Sequence, residues 1–224
     1  MSRFFCFSLS ILTACKGGLN LEVKDEAAET GADQETGIDA AEDYTQPGGW
    51  TGGQEATEFV GSEGQNLVLN IWYPSAEAGI EPAEYAMSGW KHEGESFAGV
   101  APACDTPRPV MVHSHGNGSL SWEMFYLQEF LSTHGWIIVA PDHDGNTLYN
   151  NTIPFSTLYL RRPVDIRDSY DWLLAQSADA ESPYFGCVDE ADGYVVSGYS
   201  FGGYTAYATG GAGVNDSTGQ PTVQ

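Results

Sequence analysis

Ser200 sits in "VVSGYSFGGYTAYATGG", Val195 to Gly211, where a run of β-branched residues gives way through Gly-Tyr-Ser-Phe-Gly to a stretch of small residues. A serine on a sharp turn between a strand and a helix is the setting of a nucleophile for acyl transfer. Such a turn needs small flanks, supplied by Gly198 and Gly202, so that the chain can reverse and push the hydroxyl into solvent; Gly203 would then let the helix lie close to the sheet. With 27 glycines in the chain, GxSxG alone is weak, and a Gly-rich turn without chemistry would look the same. The N–H of Phe201, opening the helix, can face an oxyanion formed when Ser200 attacks an acyl carbon. A second donor is expected from "HSHGNG", His113 to Gly118, where glycines flank Asn117 and free its N–H to turn inward.

The partners of such a serine are the difficulty. Downstream of Ser200 there is no histidine, and Asp216 is the only carboxylate. Upstream stand His92, His113, His115, His134 and His143. His143, between Asp142 and Asp144, is the best alternative base, since convergent triads use different chain orders. His113, His115, Asp142, His143 and Asp144 also form a set that could bind zinc, although loop roles account for both clusters and neither Cys104 nor Cys187 has metal-ligand spacing. No metal or cofactor is expected.

These residues must be positioned by a sheet. "NLVLNIWYP", Asn66 to Pro74, reads as a strand closed by proline. The next thirty residues, rich in Gly, Pro, Ala and Glu, read as a long surface excursion. Val110 to His113 is a short apolar strand. Ser121 can cap a helix running to His134, with Met124, Leu127 and Leu131 on one face, and Trp136 to Ala140 is the next buried strand. "RRPVDIRDSYDWLLAQSAD" carries Ile166, Tyr170, Leu173 and Leu174 at helical spacing, and Tyr194 to Ser197 is the strand entering the serine turn. Strands separated by helices predict an α/β fold with a parallel sheet and loops gathered at its C-terminal edge.

Within 224 residues, 42% hydrophobic is ordinary for a globular domain, but a net charge of −23 is not. It repels phosphates and anionic headgroups, so no nucleic-acid partner is expected. The N-terminal "FFCFSLSIL" followed by "LTAC", Leu12 to Cys15, resembles a bacterial lipoprotein signal. That resemblance implies cleavage before Cys15, a lipid on its sulfur, and an exported protein held at a membrane; a generic secretory signal is the alternative. The mature chain would have seven basic and 31 acidic residues, or −24. Two cysteines then remain in an oxidising compartment, and Cys104–Cys187 is the expected disulfide, worth about 2–4 kcal/mol. Residues 1–14 are thus expected as signal, 15–55 as an acidic tether without a core, and 56–224 as the folded domain.

"IWYP", "VHSHGNGS", "LSTHGWIIVAPDHDGNT", "RRPVDIRDSYDWLL" and "VSGYSFGGYTA", in this order over Leu67 to Ala208, resemble α/β-hydrolases of the predicted dienelactone hydrolase and secreted platelet-activating-factor acetylhydrolase type. The resemblance implies an α/β-hydrolase fold, a mostly parallel sheet with helices on both faces, and a serine hydrolase acting on a small-molecule ester or lactone. Ser200 would be nucleophile, with Asn117 and Phe201 as the oxyanion hole. In this fold the acid and histidine follow the serine. Their absence here, with that of the last strands, is read as a C-terminally incomplete chain. The alternative is an inactive surface lipoprotein that uses a remnant hydrolase fold for binding.

Overall fold

The computed structural model describes residues 44–212, with the backbone of Val214–Asn215 and Pro221–Val223. The expected lipidation site at Cys15, the expected signal and most of the expected acidic tether lie outside the described residues. Seven strands form one mixed sheet: β1 (Thr51–Val60), β2 (Asn66–Ser75), β3 (Glu81–Met87), β4 (Trp90–Ala98), β5 (Val110–Ser114), β6 (Ile137–Asp142) and β7 (Val195–Gly198), in the order β3-β4-β1-β2-β6-β5-β7. The strand–helix alternation produces the parallel half, β6-β5-β7, whereas β2 runs antiparallel to both β1 and β6. A separate two-stranded pair joins β8 (Val214–Asn215) and β9 (Pro221–Val223).

Two expectations about the strands change. The folded part begins before residue 56, because β1 starts at Thr51 and pairs along its whole length with β2. It alternates buried and exposed side chains only loosely, so Gly, Gln, Thr and Glu hid a strand whose partners supply the order. The supposed surface excursion is a β3–β4 hairpin at the sheet edge, with Tyr85 buried against Trp72.

Three helices cover the sheet: α1 (Phe125–Thr133), α2 (Phe155–Ala178) and α3 (Phe201–Thr209). Alternation along β5 separates two cores. Val112 faces Val139, Ile166, Leu173 and Ala206, between the sheet and the α2–α3 layer, while Met111 faces Trp72, Ile138 and Tyr85 on the α1 side. Helix α1 starts four residues after Ser121, with Met124 at its N-cap. Ser121 is instead a tie point, its N–H donating to Asp142 at 2.6 Å and its hydroxyl accepting from Asn70 at 2.8 Å. The fully buried residues of α1 are Gln128, Glu129 and Ser132 rather than the expected apolar stripe. Glu129 accepts from the Tyr85 hydroxyl and the Ser96 N–H, so this polar face is buried because it is bonded.

Helix α2 begins six residues before the expected run and contains Pro163. Proline removes the N–H that would have bonded the carbonyl four residues earlier, that of Tyr159. The Tyr204 hydroxyl of α3 takes its place, donating to the Tyr159 carbonyl at 3.2 Å. Cys104 and Cys187, 83 positions apart in the sequence, are joined with Cα atoms 4.4 Å apart, which staples the approach to β5 to the segment after α2. No helix among the described residues is long and apolar enough to cross a membrane.

Candidate active site

Ser200 occupies the junction between β7 and α3 with φ 52°, the only positive φ outside glycine among the described residues. A β-branched or bulky residue would resist this conformation, and a small residue holds it at a cost of order 1–3 kcal/mol. The residue is exposed. The turn is held from both sides by close backbone approach. A Cβ on Gly198 would overlap the Gly202 carbonyl group, and one on Gly202 would overlap the Ser114 carbonyl oxygen at the end of β5. A Cβ on Gly203 would meet only the Gly198 carbonyl oxygen at 3.6 Å, so the close packing expected of Gly203 belongs to Gly202.

Beside this turn lies the loop that follows β5. Ser114 pairs with Gly198 in register, and the Tyr199 N–H donates to the Ser114 carbonyl at 3.2 Å. Within the loop the Gly116 N–H donates to Glu123 at 2.5 Å, the Asn117 side chain accepts from Asn146 at 2.9 Å, and Gly118 turns with φ 65°. The Asn117 N–H has no acceptor among the described residues. As the first residue of α3, Phe201 has no acceptor for its N–H in the preceding turn of helix.

The histidines lie deeper. His143 is fully buried, with Nδ1 2.8 Å from Asp165 and Nε2 2.9 Å from the Ser114 hydroxyl. This Ser-His-Asp sequence of contacts has the order of a catalytic triad, yet Ser114 is itself fully buried and Arg162 donates to its hydroxyl at 3.0 Å. It is an internal tie between β5, the loop after β6 and α2. With both ring nitrogens engaged, His143 is not placed to deprotonate Ser200, which removes it as the alternative base. His115 contacts the Gly116 carbonyl through Nδ1 and accepts the His143 N–H at Nε2, 3.1 Å away. His113 contacts Ser197 at 2.9 Å. Burial holds these rings neutral: the pKa of His113 is pushed down to about 4, that of His115 to about 3, and that of His143 well below the ordinary value, with Arg162 adding to the effect each time. Burial also raises Asp165 to about 7.

The zinc reading fails on the same contacts. Asp142 holds Ser121, Asp144 pairs with Arg161 at 3.2 Å, and no three of the described His, Cys, Asp and Glu side chains converge on a metal position. His92 is exposed on β4 against Trp90, and His134 follows the end of α1.

Arg162 was not singled out from sequence. It is fully buried, donates to the His115 carbonyl, the Ser114 hydroxyl and the Asn146 side chain, and lies over the Phe201 ring at 4.6 Å. A signal was available, since Arg162 falls four residues before Ile166 on the face that continues through Tyr170 and Leu173, a place that ordinarily excludes a charge.

No protein-family model matches the sequence, and no curated protein matches it. Among solved structures, the chain is similar to a ferulic acid esterase from Streptomyces cinnamoneus, with a TM-score of 0.57 and 20% identity over 74% of this chain and 57% of that one. It also matches an acylaminoacyl peptidase from Pyrococcus horikoshii, with a TM-score of 0.44 and 16% identity over 70% of this chain and 20% of that one. The chain therefore spans little more than half the length of the esterase it resembles. The likeness to the esterase is one of fold, the α/β-hydrolase fold.

Proposed function

We propose that this α/β-hydrolase-fold chain carries the nucleophile and oxyanion hole of a serine hydrolase that cleaves a carboxylic ester or lactone. The observation that carries the proposal is Ser200, exposed at φ 52° between β7 and α3, in a turn whose flanking glycines have no room for a side chain. In the proposed reaction the Ser200 hydroxyl adds to the acyl carbon, and the N–H groups of Asn117 and Phe201 stabilise the oxyanion. Collapse expels the alcohol, and water then hydrolyses the acyl-enzyme. A preorganised donor is worth about 10²–10³ in rate. Tyr199, 57% exposed, and Phe155, 45% exposed and stacked on Phe201 at 4.4 Å, support an ester with an apolar portion near the serine.

No described histidine hydrogen-bonds to Ser200, and the three nearest the loop are buried and bonded elsewhere. The proposal therefore needs a base that the described histidines do not supply. The test is fluorophosphonate labelling of the full gene product. Labelling abolished in Ser200→Ala supports the proposal; labelling that persists in that variant rejects Ser200. A gene product that never labels and turns over no ester leaves the reading of an inactive, binding fold, which the buried histidines favour.

We also place the protein outside the cytoplasm, tethered through a lipid on Cys15. The Cys104–Cys187 bond supports export, since structural disulfides persist in oxidising compartments. Palmitate incorporation that survives Cys15→Ser would reject the anchor.

A further inference from the structure

We infer that Arg162 is a positioning residue that sets both proposed oxyanion donors from beneath the site, an inference that rests on the reading of Ser200 as nucleophile. The guanidinium fork points at the loop after β5. One arm donates to the His115 carbonyl, two residues before Asn117, and to the Ser114 hydroxyl at 3.0 Å. The other donates to the Asn146 side-chain oxygen at 2.9 Å. Asn146 passes the constraint on: its Nδ2 donates to the Asn117 side chain at 2.9 Å and to that of Asn151 at 3.1 Å. The face of the same guanidinium covers the Phe201 ring at 4.6 Å, and Phe201 is the residue whose N–H begins α3. One planar group thus touches the supports of both donors, which come from loops 84 residues apart.

The charge matters as well as the shape. Arg162 has 0% exposure, no described carboxylate lies within ion-pair distance of it although Asp165 and Glu123 act on it from further off, and its Nε has no acceptor among the described residues. An unpaired buried cation is costly. A neutral donor would tie the same carbonyl at less cost. What a neutral donor lacks is a fixed positive potential behind the point where negative charge develops in the transition state. Lysine would keep the charge but lose the fork and the stacking face.

The experiment uses the full gene product, with kcat and KM for an activated aryl ester measured per site titrated by fluorophosphonate, in Arg162→Lys and Asn146→Ala. Titration removes misfolded protein from the comparison. The expected result is a kcat lower by about 10- to 100-fold in Arg162→Lys, the scale of a small misplacement at a reacting centre. KM should stay within about twofold, and Asn146→Ala should follow in the same direction. Wild-type kcat per titrated site in either variant overturns the inference, and a change in KM alone does so too. If Arg162→Lys does not fold, Asn146→Ala decides. Labelling that survives Ser200→Ala is a different failure, because it removes the nucleophile reading on which both donors depend.

Discussion

Three neighbouring positions in the serine turn have opposite expectations, and each follows from a named contact. Gly202 has no room, since its Cβ would overlap the Ser114 carbonyl, so Gly202→Ala should lower stability by about 1–3 kcal/mol as backbone or strand shifts to admit it. Gly203, one residue on, meets only an ordinary contact at 3.6 Å, and Gly203→Ala should gain about 0.5–1 kcal/mol from helix propensity. Ser200→Gly should also raise stability, by about 1 kcal/mol, because glycine adopts φ 52° without strain, and it should remove all labelling. Urea unfolding midpoints read all three. Equal destabilisation by the two alanines would show that the close approach to β5 is not where the structure places it. Sequence alone marked the serine and its flanking glycines but could not rank Gly202 against Gly203. That ranking depends on a carbonyl 88 residues away in the chain.

At the scale of elements, the α2–α3 pair makes a sharper claim. Pro163 leaves the Tyr159 carbonyl without its helical donor, and the Tyr204 hydroxyl supplies one from the neighbouring helix. Tyr204→Phe should therefore cost about 1 kcal/mol, the usual net worth of such a bond. In a Pro163→Ala background, where the backbone N–H is restored, the same change should cost much less, and a double-mutant cycle measures the difference. Additive effects would mean that the tyrosine is not replacing the lost bond. The long helix was legible from Arg161 onward because Ile166, Tyr170 and Leu173 recur at helical spacing and pack into the main core. Its first six residues, Phe155 to Leu160, were not, because only Leu158 among them is buried, so no apolar stripe leads into the run. The β3–β4 hairpin was missed for a related reason: Gly, Glu and Ala dominate it, and its order comes from pairing and from Tyr85 wedged among Trp72, Trp122 and Phe125. Of the four strands read from the sequence, β2, β5 and β6 are largely buried on both faces, as their apolar runs require, and β7 less so.

For the whole molecule, the expected behaviour follows from what is buried rather than from the acidic surface. His113, His115 and His143 are held neutral inside, with the pKa of His113 depressed to about 4, that of His115 to about 3, and that of His143 well below its ordinary value. In the unfolded chain each titrates near 6.5. A group whose folded pKa is depressed in this way contributes stability above its unfolded value and loses it as pH falls towards the folded one. Asp165 has the opposite sign: raised to about 7 from 3.8, it favours the folded state below 3.8 and loses that contribution as pH rises through 7. Between pH 6.5 and 4 the three histidines take up protons on unfolding while Asp165 releases one, and Glu123, Asp142 and Asp171, also raised, act with Asp165 towards the acid end, so stability should fall as pH drops from 6.5. The net charge of −23 works the other way, because acid relieves its self-repulsion. That long-range effect is screened by salt, whereas buried rings are not. Thermal unfolding in about 0.5 M salt, where the Debye length is only a few ångströms, should therefore show Tm dropping steeply from pH 6.5 to 5 and changing little from 7 to 8. A Tm that stays flat or rises over the acidic limb would mean that these histidines are charged in the folded protein, and the internal Ser114–His143–Asp165 tie would then have to be redrawn as an ion pair.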